Sequence, residues 1–126
     1  MSDEKIVLTF DYELFLGRNS GSVDNCLIAP TREILNRLKE HSATALFFVD
    51  ATYLHNIESS DKQTYEKIAG QIEEMIEAGC EVGLHLHPHW LDATRSEGDS
   101  WSLENVSRYR LHTLDAVELR KVFSDS

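Results

Sequence analysis

The stretch Ala43-Thr44-Ala45-Leu46-Phe47-Phe48-Val49, closed by Asp50, decides the fold. It is apolar except for one Thr and too short for a helix of its own, so it reads as a strand buried on both faces. Downstream, Asp61 stands as an N-cap before Tyr65, Ile68, Ala69, Ile72, Met75 and Ile76, which recur at helical spacing until Gly79 in the position of a C′ glycine. Glu81-Val82-Gly83-Leu84-His85-Leu86 follows directly as a further strand. Upstream, Pro30 suits the first turn of a helix running to about His41, with Ile34, Leu35 and Leu38 on one face and Glu33 placed four residues before Arg37. Before it, Lys5-Ile6-Val7-Leu8-Thr9-Phe10 is β-branched and apolar, and reads as a first strand covered on both faces. Strands alternating with helices predict an α/β fold, a parallel βαβαβα unit with right-handed crossovers. The last helix is expected from Thr113 to Phe123, burying Leu114, Val117 and Val122.

A chain of 126 residues with 41% apolar content supports one core, so residues 1–126 are expected to form a single domain. Twelve Lys and Arg against 22 Asp and Glu leave a net charge of −10 with the basic residues scattered, which excludes a nucleic-acid surface. No apolar run approaches the roughly 18 residues of a membrane span, and Met1-Ser2-Asp3-Glu4-Lys5 lacks the basic and apolar regions of a secretory leader. A cytoplasmic location is the expectation. Cys26 and Cys80 have no CxxC partner and read as free thiols, with Cys80 buried. From Trp90 to about Leu111 the chain reads as a loop carrying a short helical piece at Leu103 to Val106, and such long loops are commonly functional. Gly17 to Ser22 reads as a flexible lid, Glu73, Glu74 and Glu77 as a solvent face, and His41, His55 and His112 as helix-end or loop residues.

Parallel topology sends every strand-to-helix loop to one edge of the sheet. The first strand ends Asp11-Tyr12-Glu13 and the third ends His85-Leu86-His87-Pro88-His89-Trp90. Side chains alternate, so Asp11 shares a face with Glu13 and His85 with His87; His89 joins that face if the chain stays extended through Pro88. Two strand spacings, roughly 10 Å, separate the carboxylates from the imidazoles, and a sheet curling toward a barrel turns both inward. Imidazole nitrogens with a carboxylate oxygen suit Zn²⁺ or a neighbouring divalent ion, with positions left open for water. A second carboxylate can then take the proton of the attacking water. Asp50 lies at the same edge, where a helix-capping role is the stronger reading.

These residues resemble the polysaccharide deacetylases of the NodB-homology type, carbohydrate esterase family 4. Thr9-Phe10-Asp11 is similar to the family's Thr-Phe-Asp-Asp motif, Ala45-Leu46-Phe47-Phe48-Val49 to its Ala-Thr-Phe-Phe-Val strand, and Glu81 through His89 to its Glu-Ile-Gly-x-His-(Ser/Thr)-x-x-His motif. The resemblance implies Asp11 as the catalytic base and His85 and His89 as metal ligands. Tyr12 occupies the place of the family's metal-binding second Asp, so Glu13 becomes the acidic ligand, and the roles of Asp11 and Glu13 can exchange. His87 is an extra imidazole open to metal, to substrate or to neither. Tyr12 and Trp90 are candidates for stacking on sugar rings, although packing is the commoner use of single aromatics.

The implied activity is a metal-dependent, most simply zinc-dependent, hydrolase that removes an acyl group, acetyl above all, from an N-acylated sugar of a polysaccharide or glycolipid. The family fold is an irregular (β/α) barrel of seven or eight units, of which this chain covers the first three or so, without the later motifs that supply the acid for the leaving amine. We therefore expect the N-terminal part of such a catalytic barrel. The alternative is a catalytically incomplete metal-binding fragment that forms homo-oligomers through an exposed strand edge.

Overall fold

The computed structural model describes residues 4–15, 20–96, 100–103, 108 and 110–125. Three parallel strands, β1 (Thr9–Tyr12), β2 (Leu46–Asp50) and β3 (Glu81–His85), form a sheet in the order β1-β2-β3. Helix α1 (Ala29–Glu40) connects the first pair, and α2 (Ala51–Ser60) with α3 (Lys62–Glu77) connects the second. This is the parallel α/β unit expected. The register aligns Thr9, Leu46 and Glu81 in one row and Asp11, Phe48 and Gly83 in another.

Phe47 and Val49 of β2 and Tyr12 of β1 share a core with Leu35 and Leu38 of α1 and Ile68 and Met75 of α3. Alternation along β2 accounts for this, because every second residue faces the helical layer. The Asp61 carboxylate caps α3 by accepting from Thr64 N at 3.1 Å. Gly79 ends the same helix at φ +79°, a conformation that L side chains resist, while Gly79 N donates to Ile76 O at 2.9 Å and Cys80 N to Met75 O at 3.0 Å. Arg37 Nε donates to Glu33 Oε1 at 2.9 Å on the exposed side of α1. Cys26 and Cys80 are free thiols, and Cys80 is buried. No helix among the described residues is long and apolar enough to cross a membrane.

Several boundaries differ from the expectation. The first strand begins at Thr9, and Ile6 and Val7 are 88% and 73% exposed instead of covered. Leu46 is the first residue of β2 and pairs with Thr9, so the chain before Leu8 lies beyond the end of β2, with no other strand beside it among the described residues. Helix α1 is preceded by a π-helical turn, Asp24–Ile28, which starts the helical segment earlier than Pro30. Helix α2 fills a stretch to which no element was assigned, and His55, expected at a helix end or in a loop, sits within it. The expected loop after Trp90 contains a 3₁₀ turn, Pro88–Asp92, and a small antiparallel hairpin, β4 (Thr94–Arg95) with β5 (Trp101–Ser102). The last helix, α4 (Ala116–Asp125), starts three residues late; Leu114 and Val122 are buried as expected but Val117 is exposed. Of the expected lid, 17–19 lie outside the described residues, as do 104–106 of the short helical piece, and Leu103 is not helical.

Candidate metal centre

Asp50, the last residue of β2, pairs with His85, the last of β3. Tyr12 pairs with Val49, so one further step along the chain brings Glu13 to the row of Asp50 and His85 at the C-terminal edge. Glu13 Oε2 lies 2.9 Å from His85 Nε2 and 2.5 Å from His87 Nε2, and the two imidazole nitrogens are 2.8 Å apart. The three side chains are half-buried and form the group of described residues able to hold a metal ion. Asp11 stands beside them, its Oδ1 4.0 Å from His85 Nδ1 and its carboxylate open to solvent.

The donor chemistry fits a divalent cation. A carboxylate offers only lone pairs, and a neutral imidazole offers one lone pair and one N–H. No placement of protons satisfies all three contacts: one proton leaves lone pairs opposed elsewhere, and a proton on each Nε2 sets the two N–H groups against each other at 2.8 Å. One cation accepts from all three, and two imidazoles with one carboxylate are a donor set suited to Zn²⁺.

His89, expected among the ligands, lies outside this group, and His87, read as open to metal, to substrate or to neither, lies within it. Pro88 opens a 3₁₀ turn directly after the extended His87 backbone, so the chain does not stay extended and alternation ends there. The turn carries the His89 ring into the core, 3% exposed, against Trp90 at 4.9 Å between centroids and His87 at 5.5 Å. Neither of its ring nitrogens has a hydrogen-bond partner among the described residues. Burial pushes its pKa down to about 4, and neighbouring His87 adds to the effect, so the ring is neutral.

The candidate stacking residues are also interior. Tyr12 packs in the core, where its hydroxyl donates to Gln71 Oε1 at 2.8 Å, and burial raises its pKa well above the usual phenol value. Trp90 is fully buried, its ring 4.8 Å from that of Tyr53 and 5.2 Å from that of Trp101. Neither aromatic lines the crevice.

Helix α2 is the functional element that the sequence reading missed. Asp50 caps it, its Oδ1 accepting from Tyr53 N at 3.2 Å and from the Thr52 hydroxyl at 2.5 Å, as the capping reading expected. Thr52 Oγ1 in turn accepts from His87 N at 2.9 Å. One turn later Asn56 Nδ2 donates to Trp90 O at 2.7 Å and to Ala93 O at 2.9 Å. Thr52 and Asn56 of α2 thus clamp both ends of the turn that orients the histidines. Burial pushes the Asp50 carboxyl up from its ordinary value, opposed by the Thr52 hydroxyl, by His87 and by the Tyr53 N–H. Tyr53, Leu54 and Ile57 after an Asp cap were the available signal, masked by His55, Asn56, Ser59 and Ser60, which are mediocre helix formers. A concavity of about 610 Å³ between the C-terminal ends of α1 and α3, lined by Arg32, Lys39, Glu74 and Glu77, lies at the other end of the sheet and holds none of these groups.

A parallel α/β sheet with a carboxylate and two imidazoles converging at its C-terminal edge defines a class of protein able to bind a divalent cation beside a solvent-open carboxylate. The family model for polysaccharide deacetylase matches residues 1–116, and the chain belongs to that family of hydrolases. No match was found to a curated protein or to a solved structure.

Proposed function

We propose that this chain is the first part of a metal-dependent carbohydrate N-deacetylase barrel, acting on an acetylated amino sugar of a polysaccharide or glycolipid. The observation that carries the reading is the convergence of Glu13 Oε2, His85 Nε2 and His87 Nε2 beside Asp11. A divalent cation, most simply Zn²⁺, held by Glu13, His85 and His87 would acidify water and polarise the acyl carbonyl. Asp11, outside the triad and open to solvent, accepts the proton of the attacking water at a carboxylate oxygen. Glu13, engaged by both imidazoles, is the poorer base, which favours this division of roles over the exchanged one. The acid that protonates the leaving amine is not among the residues assembled here.

The test has two arms. Elemental analysis of tag-free protein purified without chelator should show about one divalent ion per chain, lost in His85→Ala. Acetate release from N-acetylglucosamine oligomers should depend on that ion and on Asp11; a metal-loaded protein that releases none removes the catalytic assignment for this chain.

A second reading, a noncatalytic module that pairs through a strand edge, is favoured by β3, where Val82 and Leu84 are 39% and 54% exposed on an edge strand. Native mass measurement separates the two, since a stable dimer without hydrolysis supports the second and monomeric turnover the first.

A further inference from the structure

Strand β3 stops at His85, so His87 N has no ladder partner, and a buried N–H must find an acceptor elsewhere. The Thr52 hydroxyl provides it at 2.9 Å, from an element 35 residues away in sequence. A hydroxyl carries one proton, and two acceptors lie within reach of this one, Asp50 Oδ1 at 2.5 Å and His87 O at 2.9 Å. The carboxylate is both nearer and the stronger acceptor. The result is a chain of two hydrogen bonds, from His87 N–H to Thr52 Oγ1 and from Thr52 O–H to Asp50 Oδ1. At the other end of the same residue, His87 Nε2 meets Glu13 Oε2.

Asp50 is more costly than a helix cap requires. It is 1% exposed, and a neutral Asn or Ser caps as well without burying a charge. Its second oxygen, Oδ2, is buried without a hydrogen-bond partner among the described residues, and so is His87 Nδ1. Asp50 thus bears on His87 through the hydrogen bond that the Thr52 hydroxyl relays to the His87 backbone.

We propose that Asp50, acting through the Thr52 hydroxyl, is a positioning residue for His87, so that the cation affinity of the Glu13, His85 and His87 triad depends on a carboxylate that is not one of its three donors. The inference rests on the metal reading above and extends it to the residues that hold a ligand in place. Outer partners of metal-binding histidines fix ring orientation and raise ligand basicity.

The experiment compares the full chain with Asp50→Asn, Thr52→Val and Thr52→Ser, each stripped with chelator and titrated calorimetrically with Zn²⁺. Asn caps a helix about as well as Asp, so D50N separates positioning from capping. Ser keeps the hydroxyl that Val removes. D50N and T52V should bind Zn²⁺ about 10- to 100-fold more weakly, as expected for loss of an outer partner. T52S should restore binding to near the wild-type value, and the visible spectrum of the Co²⁺-loaded chain should change in D50N and T52V but not in T52S. Far-UV circular dichroism checks that α2 persists; if T52V does not fold, D50N against wild type decides. Equal Zn²⁺ affinity in wild type and D50N overturns the proposal while leaving the metal reading intact. A wild-type chain that binds no Zn²⁺ overturns both.

Discussion

Glu13 Oε2 lies 2.5 Å from His87 Nε2, although 74 residues separate them in the chain. The contact joins the loop after the first strand to the turn after the third, with β2 between them in the sheet. A flat sheet would hold these positions about two strand spacings apart, roughly 10 Å. The Glu13 and His87 side chains, each just past the end of its strand, reach across that gap.

The identity of the second imidazole ligand is directly testable. His87→Ala should abolish measurable Zn²⁺ binding in a calorimetric titration, whereas His89→Leu should leave it intact. Replacing an unpartnered buried ring with an apolar side chain of similar size is nearly neutral or stabilising, so the thermal midpoint of H89L should not fall. Loss of Zn²⁺ binding in a folded H89L would restore the ligand set read from the sequence.

Asp11 is expected to act on rate and not on metal. With Asp11→Asn, kcat for acetate release in an active protein should fall by about 10²- to 10⁴-fold, the usual worth of a general base. Zn²⁺ affinity should be unchanged, because Asp11 is 4.0 Å from the His85 nitrogen that faces away from the triad. A drop in affinity with kcat preserved would instead make Asp11 an orienting partner of His85.

Gly83 is needed for close approach. A Cβ there would fall 2.9 Å from Phe48 Cδ1 and Cε1, on the neighbouring strand at the same register. Gly83→Ala should cost about 1–3 kcal/mol in urea unfolding, the range for overpacking. In a Phe48→Ala background the penalty should largely vanish, and the double-mutant cycle reads the coupling.

Alkaline stability should depend on Tyr12. Its folded pKa is raised, first by burial, while the unfolded value is about 10. Above pH 10 the unfolded chain therefore carries fewer protons than the folded one, and stability falls as pH rises further. Tyr12→Phe should flatten that limb relative to wild type. At neutral pH the same variant should lose about 1 kcal/mol by leaving Gln71 Oε1 without its donor. Matching slopes above pH 10 in denaturant melts of the two proteins would contradict the linkage.

The elements that the sequence made plain are those whose signal is local. The runs Ala43 to Asp50 and Glu81 to Leu86 are short with clear C-terminal ends, although the strands form only over Leu46–Asp50 and Glu81–His85, and α3 carries its own cap at Asp61 and its own stop at Gly79. Alternation likewise put Asp11 with Glu13 and His85 with His87. Helix α2 escaped because its stability comes from Tyr53 and Ile57 entering a shared core, not from its own composition.

Sequence alone therefore determined the parallel α/β plan, the edge at which the chemistry gathers and the family to which its motifs correspond, because periodicity and capping act over a few residues. Tertiary structure decided which imidazole joins His85 at Glu13. That choice turns on the 3₁₀ turn begun at Pro88 and on the Thr52 and Asn56 bonds that hold it. Spacing in the chain cannot report a change of backbone direction that is stabilised by partners more than thirty residues away.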